Sequence, residues 1–114
     1  MNNNKMIIIG EKESFITIVL VKKVQETGAE CSFVPWKIDQ ISKNLDGVSL
    51  ITLFMKEEEL PGEDVIHFLT DVMEERDIQL MIIGEAYDVD CMCDRFPRDL
   101  IYQTFKRPDR KSVV

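Results

Sequence analysis

Two hydrophobic periods alternate along the chain. Lys5–Gly10 (KMIIIG) is a short apolar run rich in Ile, the pattern of a strand covered on both faces. In Glu13–Gly28 (ESFITIVLVKKVQETG) the spacing predicts a helix with Ile16, Val19, Leu20 and Val24 on one face, ended by a left-handed cap at Gly28. Cys31–Trp36 (CSFVPW) reads as a brief strand stopped by Pro35. Ile38, Ile41 and Leu45 mark a short helix closed by Asp46–Gly47, and Val48–Met55 (VSLITLFM) is a third strand. Glu63–Asp77 is the clearest helix, with Val65, Ile66, Leu69, Val72 and Met73 in register and acids in its first turn. Ile78–Gly84 (IQLMIIG) is a fourth strand, Asp88–Phe96 (DVDCMCDRF) a short helix ended by Pro97, and Leu100–Phe105 (LIYQTF) a fifth strand.

This β-α-β-α-β-α-β-α-β order, with short connections, predicts an α/β domain built as a doubly wound five-stranded parallel sheet with helices on both faces. The flavodoxin-like strand order 2-1-3-4-5 follows, and in such sheets ligands collect at the carboxyl ends of the strands. Any chemistry is therefore expected just after Ile9, Leu53, Ile83 and Phe105.

Composition narrows the picture further. A chain of 114 residues, 45% hydrophobic and 31% charged, is read as one globular domain spanning 1–114 with a core that needs no staples. The net charge of −7 argues against non-specific binding to nucleic acid or an anionic membrane. No apolar run approaches the ~20 residues of a membrane span, and the start, MNNNK, lacks the regions of a secretory signal. The odd count of 3 cysteines suits a reducing compartment, so a cytoplasmic location is expected.

Four stretches in this order carry a resemblance: KMIIIGEKESF, LITLFM followed by LPGEDVIHFL, LMIIGEAYD, and FKRP after the fifth strand. Together they resemble the receiver domains of bacterial response regulators over nearly the whole chain. Receivers have paired acids after the first strand that hold Mg²⁺ and an aspartate ending the third strand that takes a phosphoryl group. A hydroxyl residue after the fourth strand and a lysine before a proline after the fifth contact that group. By this resemblance the paired acids become Gly10 and Glu11, Leu53 falls at the acceptor position, and Glu85, ahead of Ala86, replaces the hydroxyl residue. Arg107 replaces the lysine before Pro108, with Lys106 one position earlier. A one-residue slip at the acceptor offers only Thr52 or Phe54. Leucine cannot act as a carboxylate nucleophile, and Mg²⁺ requires hard oxygen ligands. The resemblance therefore implies a pseudo-receiver with no enzymatic activity, cofactor or metal, in which Glu85 pairs with Arg107 or Lys106 across the fourth and fifth strands.

Other constellations are weaker. Cys91 and Cys93 could be half of a zinc site, but the remaining candidates, Cys31 and His67, are not placed with them, and incidental thiols are the better reading. His67 is expected to face solvent or an interface. Lys56–Leu60 (KEEEL) reads as a solvated acidic loop and not a cation site. GEKES after the first strand carries an acid where a phosphate-cradling loop needs glycines. Asp46 and Asp64 lie too far from the expected catalytic end to serve as relocated acceptors.

Two function classes follow. The first is a signalling module of two-component type whose partners are proteins: a second copy, a histidine kinase or an attached output domain. The alternative is a small ligand- or metal-binding sensor or enzyme using the strand-end crevice. After Pro108 only DRKSVV remains, too short and polar to supply a closing fifth helix. The chain is accordingly expected to be a piece of a longer signalling protein, or to bury an uncovered apolar face in a homodimer, with the SVV tail as one candidate contributor.

Overall fold

The structure, a computed structural model, describes residues 5–56 and 59–107. Its elements are β1 (Lys5–Gly10), α1 (Phe15–Glu26), β2 (Glu30–Pro35), α2 (Ile38–Ser42), β3 (Val48–Phe54), α3 (Glu63–Arg76), β4 (Gln79–Glu85), α4 (Ala86–Cys93) and β5 (Ile101–Arg107). All strand pairs are parallel, in the order β2-β1-β3-β4-β5. This is the doubly wound, flavodoxin-like architecture expected from the alternating periods.

Local chemistry explains the helix ends. Ser14 caps α1 by accepting from the Thr17 backbone N–H, while Thr17 Oγ1 accepts from the Ser14 N–H at 2.8 Å. This reciprocal box satisfies two otherwise orphaned donors. Gly28 then takes φ +94°, the left-handed conformation that ends the helix. α3 begins with Glu63 and Asp64 and ends with Arg76, charges that complement the helix dipole.

The two faces of the sheet are filled differently. On one, α2, α3 and α4 close over a core containing Ile7, Ile9, Ile51, Leu53, Leu80 and Ile82, joined by Ile41, Leu69, Val89 and Met92. On the other, α1 alone, among the described residues, packs Leu20, Val21 and Val24 near Ile8, Cys31 and Phe54.

Several boundaries and one face depart from expectation; α2 ends at Ser42, before Leu45, and α4 ends at Cys93, before Phe96. α4 starts at Ala86, directly at the end of β4, not at Asp88. Leu100 belongs to a 3₁₀ turn over Arg98–Leu100, and β5 continues through Lys106 and Arg107 instead of ending at Phe105. On α1 the fully buried side chain is Thr17, while Ile16 and Val19 are exposed. Period alone cannot decide this, because α1 is apolar around most of its first two turns. The neighbours that would cover its flank decide it. The expectations for the closing segment and the SVV tail (Pro108–Val114), and for Glu57 and Glu58 of the acidic loop, lie outside the described residues.

Candidate functional site at the carboxyl ends of the strands

β1 ends in Gly10, beside the end of β3. A Cβ at Gly10 would sit 3.1 Å from the Phe54 carbonyl oxygen and 3.3 Å from the Phe33 ring. The position therefore has almost no room for a carboxylate side chain. The Gly10 carbonyl accepts from the Trp36 backbone N–H at 2.9 Å, which draws the chain after β2 across the end of β1. There the Trp36 indole Nε1–H donates to Glu11 Oε1 at 2.8 Å. Trp36 is buried, so its N–H needs an acceptor, and Glu11 supplies it. Glu11, the acid directly after β1, is thus engaged by a tryptophan that periodicity had marked only as the end of a strand.

The alternation of β3 separates the two residues at the expected acceptor. Leu53 is fully buried in the core beneath the three helices. Phe54 points to the opposite face, toward α1. Leu53 accordingly has no access to the strand-end crevice, and Phe54 is the side chain that meets the fifth-strand cation. Thr52, on the α1 side, is also buried, with its hydroxyl 3.4 Å from Met6 Sδ.

The expected pairing of Glu85 with Arg107 or Lys106 does not form. Because β5 continues to Arg107, its last two residues alternate, with Lys106 opposite Gly84 and Arg107 opposite Glu85. Lys106 Nζ turns toward α4 and meets Asp90 Oδ1 at 2.8 Å, and this contact holds the ammonium pKa above its ordinary value. Arg107 reaches over β4 to β3. There Nη2 donates to the Met55 carbonyl at 2.7 Å and the guanidinium lies 5.3 Å from the centroid of the Phe54 ring. That is cation–π distance. Arg107 Nε is buried and has no partner among the described residues. Glu85 is the N-cap residue of α4 and makes no side-chain capping bond. Met55 completes the closure: a Cβ at Gly84 would meet its Cε at 3.1 Å.

The outlying candidates remain dispersed. His67 is exposed on α3, with Nε2 3.7 Å from Glu63 Oε1, and Glu63 is also paired with Arg95. Cys31 is buried under α1, and burial raises its thiol pKa. Cys91 and Cys93 are partly exposed on α4. Among the described residues no three His, Cys, Asp or Glu side chains gather into a set that could hold a metal ion. Among the same residues no helix is long and apolar enough to cross a membrane.

Chemically, the strand ends bring together a hydrogen-bonded carboxylate (Glu11), an aromatic ring (Phe54) and a guanidinium already spent on a backbone carbonyl (Arg107). Trp36, Met55 and Asp90 are the participants that sequence reasoning missed. An unpaired tryptophan beside an acid-bearing strand end was the available signal for the first.

No protein-family model matches the chain, and no curated protein matches it. Solved structures do. A response regulator receiver domain protein from Clostridium thermocellum superposes with a TM-score of 0.65 at 15% identity, covering 92% of this chain and 82% of that one. The response regulator TrrA from Thermotoga maritima, in complex with Mg²⁺ and BeF, gives 0.61 at 14% identity, covering 98% and 91%. An adenylate cyclase from Rhodopirellula baltica gives 0.64 at 12% identity, covering 98% and 81%. The chain has the receiver fold.

Proposed function

We infer that this chain is a receiver-fold module that is not phosphorylated and that works through protein contacts in signalling of the two-component type. The observation that carries this reading is the filled strand end. Phe54 lies under Arg107, Gly10 has no space for a carboxylate, and Glu11 is bonded to Trp36. Phosphoryl transfer to an aspartate needs a free carboxylate nucleophile and a cation held by hard oxygens, and those elements are replaced here by packing. Without them the domain is a binding surface and not an enzyme. Its partners are proteins: itself, a histidine kinase or an attached output domain, in the cytoplasm.

The test uses the lone tryptophan. Because Trp36 donates to Glu11, any Mg²⁺ bound by Glu11 must perturb indole emission. Titration with millimolar Mg²⁺ should leave Trp36 fluorescence flat, and acetyl phosphate with Mg²⁺ should leave the intact mass unchanged. A stoichiometric, alkali-labile phosphoryl adduct would overturn the reading, and a saturable fluorescence change would show that Glu11 binds the cation.

A further inference from the structure

On the α1 side of the sheet an apolar groove of about 370 Å³ opens between α1 and β5. Its walls and floor include Ile8, Leu20, Val24, Met81, Ile83 and Phe105. Register shows how it arises. Phe54, Ile83 and Phe105 are neighbours in one row across β3, β4 and β5. Burial falls along that row, from 3% exposure at Phe54 to 46% at Phe105, as the distance from α1 grows. Beside the groove, α1 carries a second uncovered apolar surface. Phe15, Ile16, Ile18 and Val19 are all exposed, Phe15 at 79%. Over its first two turns α1 is apolar in nearly every direction, the pattern of a helical segment buried on more than one side, while Lys22, Lys23 and Glu26 make its last turn polar.

We propose that the occupant of this groove is α1 of a second copy of this chain, in a two-fold dimer in which both α1 helices form one layer between two sheets. Each helix keeps its inner face on its own sheet and lays Phe15 and Val19 into the groove of the other. For helices lying side by side in that layer to exchange sheets, the two-fold axis must run along them. The helices are therefore parallel, and like residues meet across the axis. Ile16 lies one turn before Leu20, on the flank of α1 that faces the groove, so Ile16 meets its own mate. An α-helix of 12 residues is ~18 Å long and ~10 Å across, so burying two faces of each α1 with their counterparts removes on the order of 1,000 Å². That is the low end of specific interfaces. The dimer is expected to be concentration-dependent, with one protomer's surface identical to its partner's.

The proposal deepens the reading of the domain as a contact module by naming its partner, and it can fail separately. A monomer that stays unphosphorylated ends the dimer alone, and a phosphorylated dimer ends the other reading alone. Sedimentation velocity of the full chain, from about 5 to about 200 μM, should show a monomer–dimer equilibrium weak enough to titrate. Val19→Glu and Phe105→Glu alter opposite sides of the contact at exposed positions. Each should weaken association by at least about tenfold while leaving circular dichroism unchanged. Ile16→Cys should form a disulfide-linked dimer through residue 16, faster than Glu75→Cys on the exposed side of α3. A monomer throughout that range would overturn the proposal, including one whose groove is covered by its own residues 108–114. So would a dimer indifferent to both glutamates, or cross-linking no faster at position 16 than at 75.

Discussion

Behind the sheet, three helices leave Leu53, Leu69 and Ile82 with no exposed surface. In front of it, among the described residues, a single helix buries Ile8 and Phe54 but leaves Phe105 and much of its own N-terminal half in water. Both faces are built from the same strands with the same apolar alternation. The difference is the number of covering elements, and it separates two uses of hydrophobic surface. One face is closed into a core, while the other leaves apolar side chains such as Phe15 and Phe105 exposed. The strand ends lie where these faces meet, and there Glu11, Lys106 and Arg107 are each held by a neighbouring residue.

The sharpest way to break this comparison is to truncate one side chain on each face. Leu53→Ala should cost ~2–5 kcal/mol, since its cavity lies among side chains with nowhere to collapse. Phe105→Ala, at the open edge, should cost under ~1 kcal/mol in dilute protein. Urea denaturation of both variants measures this, and equal losses would mean that the two faces are not different in kind.

The seam between the faces offers a second, smaller effect. Gly10→Ala places a methyl 3.1 Å from the Phe54 carbonyl, a backbone atom that cannot swing aside. A loss of ~1–3 kcal/mol is expected from overpacking. A neutral or stabilising outcome would show that the strand end has room for a side chain, and with it room for a carboxylate.

A smaller contrast lies within the α1 face itself. Cys31 lies where α1 does cover the sheet, and burial raises its pKa. The folded state therefore holds its proton longer than the unfolded state does. Stability from this group is fully present below the unfolded thiol value of about 8.5 and declines as pH rises through the folded pKa. A thiol reagent at pH 8 should modify Cys91 quickly and Cys31 only as fast as the chain opens. Cys31 reacting as fast as Cys91 would show that α1 gives little protection even where it packs.

Much of the architecture is legible in local chemistry. The Ile run of β1, the glycine after α1, the acids opening α3 and the proline closing β2 each act within a few residues. Parallel order then follows from the alternation of strands and helices. The absence of a carboxylate at the end of β3 is equally plain, because no residue from Thr52 to Phe54 carries one. What periodicity could not rank was the two sides of α1, where apolar residues occupy nearly every direction.

The sequence by itself determined the kind and order of the elements and the absence of an acceptor carboxylate, because these depend on side-chain type and on spacing within one strand or helix. Only the tertiary structure decided which partners the polar groups at the strand ends take. Lys106 and Arg107 are adjacent in the chain, yet the continuation of β5 sends one to Asp90 on α4 and the other over Phe54 to Met55. Glu11 and Trp36 are 25 positions apart and meet because β1 and β2 are paired in register and the chain crosses the end of β1. Partner choice depends on strand register, strand length and the side of the sheet, and those are set by long-range packing that no local pattern encodes.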